Sequence, residues 1–338
     1  MGIDAMARVA VVATGGTIAS TASPGGVVAS RAAADLLQST HVTDIDVETV
    51  DLMTVGSYRM NLGHIRLISD AVADLLARET DPIDGIVITH GTDTTEETAV
   101  LLDLVHDDPR PVVLTGAQRA SDTADGDGPR NLADAILVAA SPRARGLGVL
   151  IAFAGRVLPA RGTRKVHTAA LAAFGSVIGA AAVGEVVDGS VAITATPRRP
   201  NPLPRPSSTF DHTRVDLVEM YPGADDALMR AAVAAGARGI VVAGTGIGNA
   251  NPVVVDAARA MVAGGVAVVL STRVPEGPVA GVYGDGGGAD LVAAGIPAAS
   301  GLPATQLRML LALWLSQDEV EASEIRSMMA CYADDKEG

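Results

Sequence analysis

Residues 86–99, IVITHGTDTTEETA, pass from an apolar strand pattern into a helical one through a turn rich in hydroxyls. Residues 11–20, VVATGGTIAS, repeat the design nearer the N-terminus, with an apolar run, two glycines and Thr17. Parallel α/β sheets bind ligands beyond the carboxyl ends of their strands, so two such strand ends predict both the fold and the place of its chemistry. In the second stretch, Thr94 and Glu97 match the S/T-x-x-E pattern of a capping box, which starts a helix just after Asp93. Thr92 and Asp93 then face a helix N-terminus, where N–H groups and the dipole favour a carboxylate or a developing oxyanion. In the first stretch, Gly15 and Gly16 allow a tight turn with backbone close to a ligand, and they present Thr17 at the rim.

Working outward, strand patterns at ARVAVVA, DIDVETVDLM, DGIVITH, RPVVLTG and GLGVLIAF alternate with helical patterns near residues 31–39, 63–79, 95–106 and 129–141. Such alternation implies right-handed βαβ crossovers and a parallel sheet. Ile65, Ile68, Val72, Leu75 and Leu76 recur at three- and four-residue steps and predict the buried face of the second helix. Residues 196–214, TPRRPNPLPRPSSTFDHTR, carry five prolines and read as an extended linker. After it VDLVEMY, ARGIVVAGTG and VAVVLSTR resume the alternation, and a closing helix carries Leu307, Leu310, Leu311, Trp314 and Leu315. The expected fold is α/β. A larger N-terminal domain (1–195) holds a mainly parallel sheet flanked by helices, and a smaller C-terminal α/β domain (215–338) follows the linker.

Composition narrows the function. Of 338 residues 48% are hydrophobic but only 2% aromatic, as in cores of aliphatic parallel strands. A net charge of −14 argues against nucleic acid, which needs a clustered basic surface, and leaves a small soluble substrate. The one cysteine, Cys331, excludes an intrachain disulfide and reads as an ordinary helical thiol. The opening MGIDAMARVAVVATGG reads as a first strand rather than a signal peptide, and no apolar run reaches membrane-spanning length; the expectation is a cytoplasmic protein without membrane contact. AGTGIGNAN lacks the third glycine of a dinucleotide fingerprint, and neither a P-loop nor G-x-S-x-G occurs. His90 reads as a packed, hydrogen-bonded residue, DTADGDGPRN as a polar loop, and Asp318 to Glu324 as a solvated helix junction. A threonine nucleophile needs a base, and Lys165 in RGTRKVHT is the candidate to support one beside Thr92.

TGGTIA and HGTDT together resemble the bacterial-type L-asparaginase family of asparaginase/glutaminase amidohydrolases. The likeness extends through RPVVLTGA, DGPRNL, GVLIAFAGRVL, GIVVAGTGIGNAN and STRVPEG. It implies hydrolysis of a side-chain amide of L-asparagine, with weaker glutaminase activity, in a homodimer or homotetramer without metal or other cofactor. Thr17 would attack the amide carbon, and Thr92, Asp93 and Lys165 match the second triad. Ser57, Tyr58, Gly91, Asp93 and Asn251 match substrate-binding positions; Ser57 would take the α-carboxylate, Asp93 the α-ammonium, and Asn251 would come from a neighbouring subunit.

The departures are specific. STASPGGVVASRAAADLL contains no tyrosine, whereas the family commonly carries one in the loop after the first motif. Tyr58 stands where the secreted members have Gln, and its side chain either reaches the pocket or fills the volume left by the short loop. Tyr283 is the next phenol to consider. The acidic residue that those members contribute after RVPTG has no clear match in RVPEGPVAGVYGDGGGAD. A related amidase, of glutaminase or tRNA-amidotransferase type, and a binding or regulatory homologue remain the alternatives.

Overall fold

The computed structural model of the protein describes residues 6–23, 26–29, 33–38, 40, 42–123, 125–176, 182–317, 320 and 324–332. These form two units, the first ending at Pro202 and the second beginning at Leu203. Apart from Val320 and Glu324, the Asp318 to Glu324 stretch lies outside the described residues, as does the side chain of Cys331.

The first unit opens with β1 (Ala7–Ala13), the hairpin β2 (Ser20–Ser23) and β3 (Gly26–Ala29), α1 (Ala33–Leu37) and β4 (Ile45–Asp51). It continues through α2 (Leu62–Leu76), β5 (Gly85–Thr89), α3 (Thr95–Val105), β6 (Val112–Thr115), α4 (Gly128–Ala140) and β7 (Val149–Phe153). It closes with β8 (Arg156–Pro159), the hairpin β9 (Thr163–Lys165) and β10 (Phe174–Ser176), then β11 (Gly184–Val187) and β12 (Ser190–Ile193).

Eight of these strands form one sheet in the order β12-β11-β8-β7-β6-β5-β1-β4. Pairing is parallel from β4 to β7 and antiparallel from β7 outward. The antiparallel edge begins where Ala154 and Gly155, at φ 52° and 75°, make a two-residue turn between paired Phe153 and Arg156. Two residues at positive φ give a hairpin loop whose twist suits antiparallel strands, so the GVLIAFAGRVL stretch folds back on itself.

Both faces of the sheet are covered, and strand residues alternate strictly between them. Val9, Val11, Val87, Val113 and Leu150 pack on one face with Leu36 of α1 and Leu132, Ala135 and Ile136 of α4. Ala10, Val12, Ile86, Ile88, Val112, Leu114 and Ile151 pack on the other with Ile68, Val72 and Leu75 of α2 and Leu102 of α3. Ile65 is buried as the helical period predicted, while Leu76 is only partly so. The chain leaves β1 toward β4 but leaves β5 toward β6, although β1 and β5 are neighbours. The connections from β1 and β5 therefore run to opposite sides of the sheet, the arrangement beyond whose strand ends α/β sheets bind ligands.

The second unit contains β13 (Val215–Glu219), α5 (Ala227–Ala234), β14 (Gly239–Gly244), α6 (Pro252–Ala263) and β15 (Ala267–Thr272). After these come α7 (Gly288–Ala293), α8 (Ala304–Leu315) and α9 (Ile325–Tyr332). Its three strands pair in parallel, in the order β13-β14-β15. In α8 burial exceeds the expected stripe: every residue from Met309 to Leu315 is buried, with Gln306 and Leu307, so this helix has no broad polar face. Within the Pro-rich stretch Phe210–His212 forms a single 3-10 turn, and Phe210 is fully buried. Among the described residues no helix is long and apolar enough to cross a membrane.

Candidate active site

The two loops that opened the sequence meet beyond the ends of β1 and β5. Thr14, just past β1, donates both its N–H (3.2 Å) and its hydroxyl (2.7 Å) to the Thr89 carbonyl at the end of β5, which locks the strand ends together. Gly16 sits at φ 83°, and a Cβ there would lie 2.4 Å from the Gly91 nitrogen. Glycine is required on both counts, because the left-handed backbone and the backbone-to-backbone contact each exclude a side chain. The next residue, Thr17, starts a short 3-10 turn and is partly buried. A Cβ on Gly91 would meet Ser57 Oγ at 2.5 Å, so a third loop, 53–57, closes on the same point.

Helix α3 begins at Thr95, as the capping-box pattern predicted, but the box itself does not form. The Thr94 hydroxyl makes no cap; it donates to the Ser57 carbonyl at 3.0 Å. A tertiary acceptor has displaced the local one, and the exchange ties Ser57 to the helix start. Buried Ser57 Oγ in turn accepts the Asp93 N–H at 3.2 Å. His90 is fully buried, with Nδ1 2.8 Å from the Gly91 carbonyl and Nε2 2.9 Å from Thr98 Oγ1. Burial pushes its pKa down to about 4, with the Gly91 hydrogen bond opposing, so the ring is a neutral bracket for the loop.

Lys165, at the end of β9, donates from Nζ to Thr92 Oγ1 and to Asp93 Oδ1, each at 2.8 Å. Thr92 is buried, whereas the Asp93 side chain is 54% exposed and open to a ligand. The Lys165 main-chain N–H donates to Glu96 Oε2 at 2.6 Å, so α3 holds the strand that carries the ammonium.

Of the residues expected from the sequence, Ser57, Gly91, Thr92, Asp93 and Lys165 are therefore linked by a chain of contacts, and Thr17 adjoins them through Gly16. Tyr58 is 75% exposed, with its ring edge against the Gly56 backbone. It does not fill volume in the interior: the 3-10 turn Ser57–Arg59 turns Ser57 inward and the following residue out. Tyr283, the next phenol, is exposed on the second unit. Asn251 also lies on the second unit, where it N-caps α6: Oδ1 accepts from Val254 N (3.1 Å) and Nδ2 donates to the Ala224 carbonyl (2.8 Å). Glu96 and Gln118 were not anticipated; Gln118 Oε1 accepts the Thr92 hydroxyl at 3.0 Å. Its signal was its place just after β6, a third strand end at the same edge. Among the described residues no group of three or more His, Cys, Asp or Glu side chains is arranged to hold a metal ion.

Fold and site together define a two-unit α/β protein with hydroxyls, an ammonium and a carboxylate hydrogen-bonded at the switch point of a largely parallel sheet. The family model for the N-terminal domain of asparaginase matches residues 8–199, and that for the glutaminase/asparaginase C-terminal domain matches 214–329. The chain belongs to the asparaginase family. It is 36% identical over 313 residues to the probable L-asparaginase of Deinococcus radiodurans, covering 91% of this chain and 93% of that protein. It is 35% identical to L-asparaginase 2 of Escherichia coli, over 81% and 80% of the two chains. The crystal structure of a probable cytoplasmic L-asparaginase from Campylobacter jejuni superposes with a TM-score of 0.83 at 30% identity, covering 96% of this chain and 99% of that one.

Proposed function

We propose that the first unit hydrolyses L-asparagine to L-aspartate and ammonia, with L-glutamine a weaker substrate. One observation carries this reading: Lys165 Nζ lies 2.8 Å from both Thr92 Oγ1 and Asp93 Oδ1, with the Gly16–Thr17 turn packed on the adjoining Gly91. Thr17 Oγ attacks the amide carbon, the C–N bond breaks, and the hydroxyl proton leaves with the nitrogen as ammonia. Water then cleaves the ester, releasing the carboxylic acid and restoring the Thr17 hydroxyl. The Thr92 hydroxyl, held by Lys165, positions the attacking group, and the Thr92 main-chain N–H helps hold the oxyanion.

Substrate placement follows from the same contacts. Asp93 spends Oδ1 on Lys165, and its exposed carboxylate keeps a second oxygen for the α-ammonium. Ser57 Oγ already accepts from Asp93 N, so its own hydrogen is directed to the α-carboxylate. Residues 1–195 form the catalytic domain in this reading, 196–214 the linker and 215–338 the C-terminal domain. A homodimer or homotetramer in which Asn251 completes a neighbouring site, and a cytoplasmic location like that given for the Campylobacter jejuni relative, belong to the same proposal.

Ammonia release from L-Asn, with L-Gln and D-Asn in parallel, tests it. Thr17→Ala should abolish turnover and leave the thermal midpoint unchanged, because it removes the acyl acceptor and little packing. Wild-type kcat in that variant would refute the assignment. The loop after β1 lacks tyrosine, which favours one second reading: a homologue that binds L-Asn without turning it over, recognisable as saturable binding with no ammonia.

A further inference from the structure

The hydrogen-bond chain from Lys165 continues through Thr92 to Gln118. Lys165 Nζ donates to Thr92 Oγ1 at 2.8 Å, and Thr92 Oγ1 donates to Gln118 Oε1 at 3.0 Å. Gln118 Nε2 donates to the Ala170 carbonyl at 3.0 Å. A carbonyl can only accept, so the amide is held with its nitrogen toward Ala170 and its oxygen toward Thr92. An ammonium can only donate, so Lys165 occupies one lone pair of Thr92 Oγ1. The single hydrogen of that hydroxyl therefore lies on the line to Gln118, and its second lone pair is turned elsewhere.

The loop behind the amide is braced. Gln118 N donates to both oxygens of Asp127 at 3.1 Å, Arg119 N donates to Asp127 Oδ1 at 3.0 Å, and Asn131 Nδ2 joins Asp127 Oδ2 at 3.1 Å and the Gly116 carbonyl at 3.0 Å. At the other end, Ala170 N donates to His167 Nδ1 at 2.8 Å and Val166 N to the Ala173 carbonyl at 2.8 Å, within the turn that links β9 to β10. One side-chain amide thus joins the loop after β6 to the hairpin that carries Lys165, with the Thr92 hydroxyl in between.

We infer that Gln118 is a positioning residue. It holds the Thr92 hydroxyl hydrogen away from the reacting centre, so that the oxygen presents a lone pair to the attacking hydroxyl or water. Without it the hydroxyl can rotate and donate toward the attacking oxygen, the wrong polarity for a group that must accept that atom's hydrogen bond. The inference rests on the hydrolase reading above and assigns Gln118 no contact with substrate.

Gln118→Glu and Gln118→Met test it, with kcat and KM for L-Asn measured across pH. A neutral glutamic acid reproduces the polarity of the amide, its carbonyl facing Thr92 and its O–H donating to Ala170. An ionised one cannot donate to that carbonyl and is repelled by it, so the carboxylate turns away from Ala170 and no longer keeps an acceptor on the line from Thr92. The ratio of Gln118→Glu to wild-type kcat should therefore approach one in acid and fall about tenfold as pH rises through the titration of the new carboxyl, with KM nearly unchanged. Gln118→Met should lose about tenfold in kcat at every pH. The titratable and charged groups around the amide are Lys165 and His167 on the β9–β10 hairpin, Asp93 and Glu96 at the start of α3, Arg119 beside Gln118 and Asp127 before α4; all are present in both proteins, and the wild-type profile records their own titration. Thermal midpoints check folding; should the Met variant fail to fold, the pH dependence of the Glu ratio decides alone. A wild-type pH profile and kcat in the Glu variant would overturn the role of Gln118, as would a loss confined to KM. Absence of ammonia release from the wild type at any pH would sink the hydrolase reading itself, a different failure.

Discussion

Lys165 performs two separable jobs, and they are carried by different atoms. Its ammonium serves Thr92 and Asp93, while its main-chain N–H serves Glu96. Lys165→Met keeps the backbone bond and most of the stem volume and removes the ammonium, with its charge and its bonds to Thr92 and Asp93. The Asp93 partner is more than half exposed, and a solvated ion pair of this kind contributes little to stability, on the order of 1 kcal/mol or less. The expected outcome is a thermal midpoint close to wild type with kcat lower by about 10² or more, since Thr92 loses the donor that polarises it. Steady-state ammonia assays beside a thermal melt check both halves, and near-normal kcat would count against the triad. Tyr58 shows how little adjacency in sequence fixes orientation: its neighbour Ser57 is buried while its own ring is mostly in solvent.

Among the elements, α6 makes a prediction about a residue with two proposed uses. Asn251 caps this helix through Oδ1 and also ties it to the Ala224 carbonyl through Nδ2. Asn251→Ala should destabilise the second unit by about 1 kcal/mol, the usual effect of removing an N-cap, and lower its melting midpoint. Asn251→Asp keeps the capping oxygen and places a negative charge at a helix N-terminus but gives up the bond to the Ala224 carbonyl, so the midpoint should recover in part. If the Asn251 amide also completes a neighbouring site, kcat/KM should stay low in the Asp variant despite the partly recovered stability. Recovery of kcat/KM along with it would confine Asn251 to the cap. The Pro-rich stretch behaves in a comparable way: Arg199 donates to Asp103 Oδ1 at 3.0 Å and to the His106 carbonyl at 2.7 Å, so part of what composition suggests is tether is bound to α3 and its C-terminus.

For the whole molecule, buried histidines set the acid limb of stability. His90 titrates near 4 in the fold against about 6.5 unfolded, because burial disfavours the imidazolium, and burial lowers His106 in the same direction. The unfolded chain therefore binds protons that the folded chain refuses. Stability from His90 is fully present above about pH 6.5 and is lost as pH falls toward 4, at about 1.4 kcal/mol per unit in that window. Asp134, which burial raises, works in the opposite sense and offsets part of the loss, while the stability from Asp108, lowered by its bond to Arg110, is fully present above the ordinary carboxylate range and is lost only as pH falls below it. Thermal midpoints of wild type and His90→Asn between pH 7 and 4 check this: the wild-type curve should fall more steeply, and parallel curves would refute it.

Ser57 is named by the resemblance of its stretch to the asparaginase family; the residues themselves determined the alternation of strands and helices, the placing of the two threonine loops at strand ends, and Thr92, Asp93 and Lys165 as groups suited to the chemistry. These are local properties: hydrophobic period, glycine pairs in turns, and chemistry that a side chain carries wherever it goes. The tertiary structure decided which groups meet. Thr94 abandoned its capping pattern because the Ser57 carbonyl, 37 residues away, came within reach of its hydroxyl. Gln118 became the acceptor for Thr92 across 26 residues, and Glu96 the anchor for Lys165 across 69. No period or motif encodes such pairs. They arise because the strand order turns at β1 and β5 and brings separate loops to one edge, where a buried polar group must bond to whatever the fold has placed beside it.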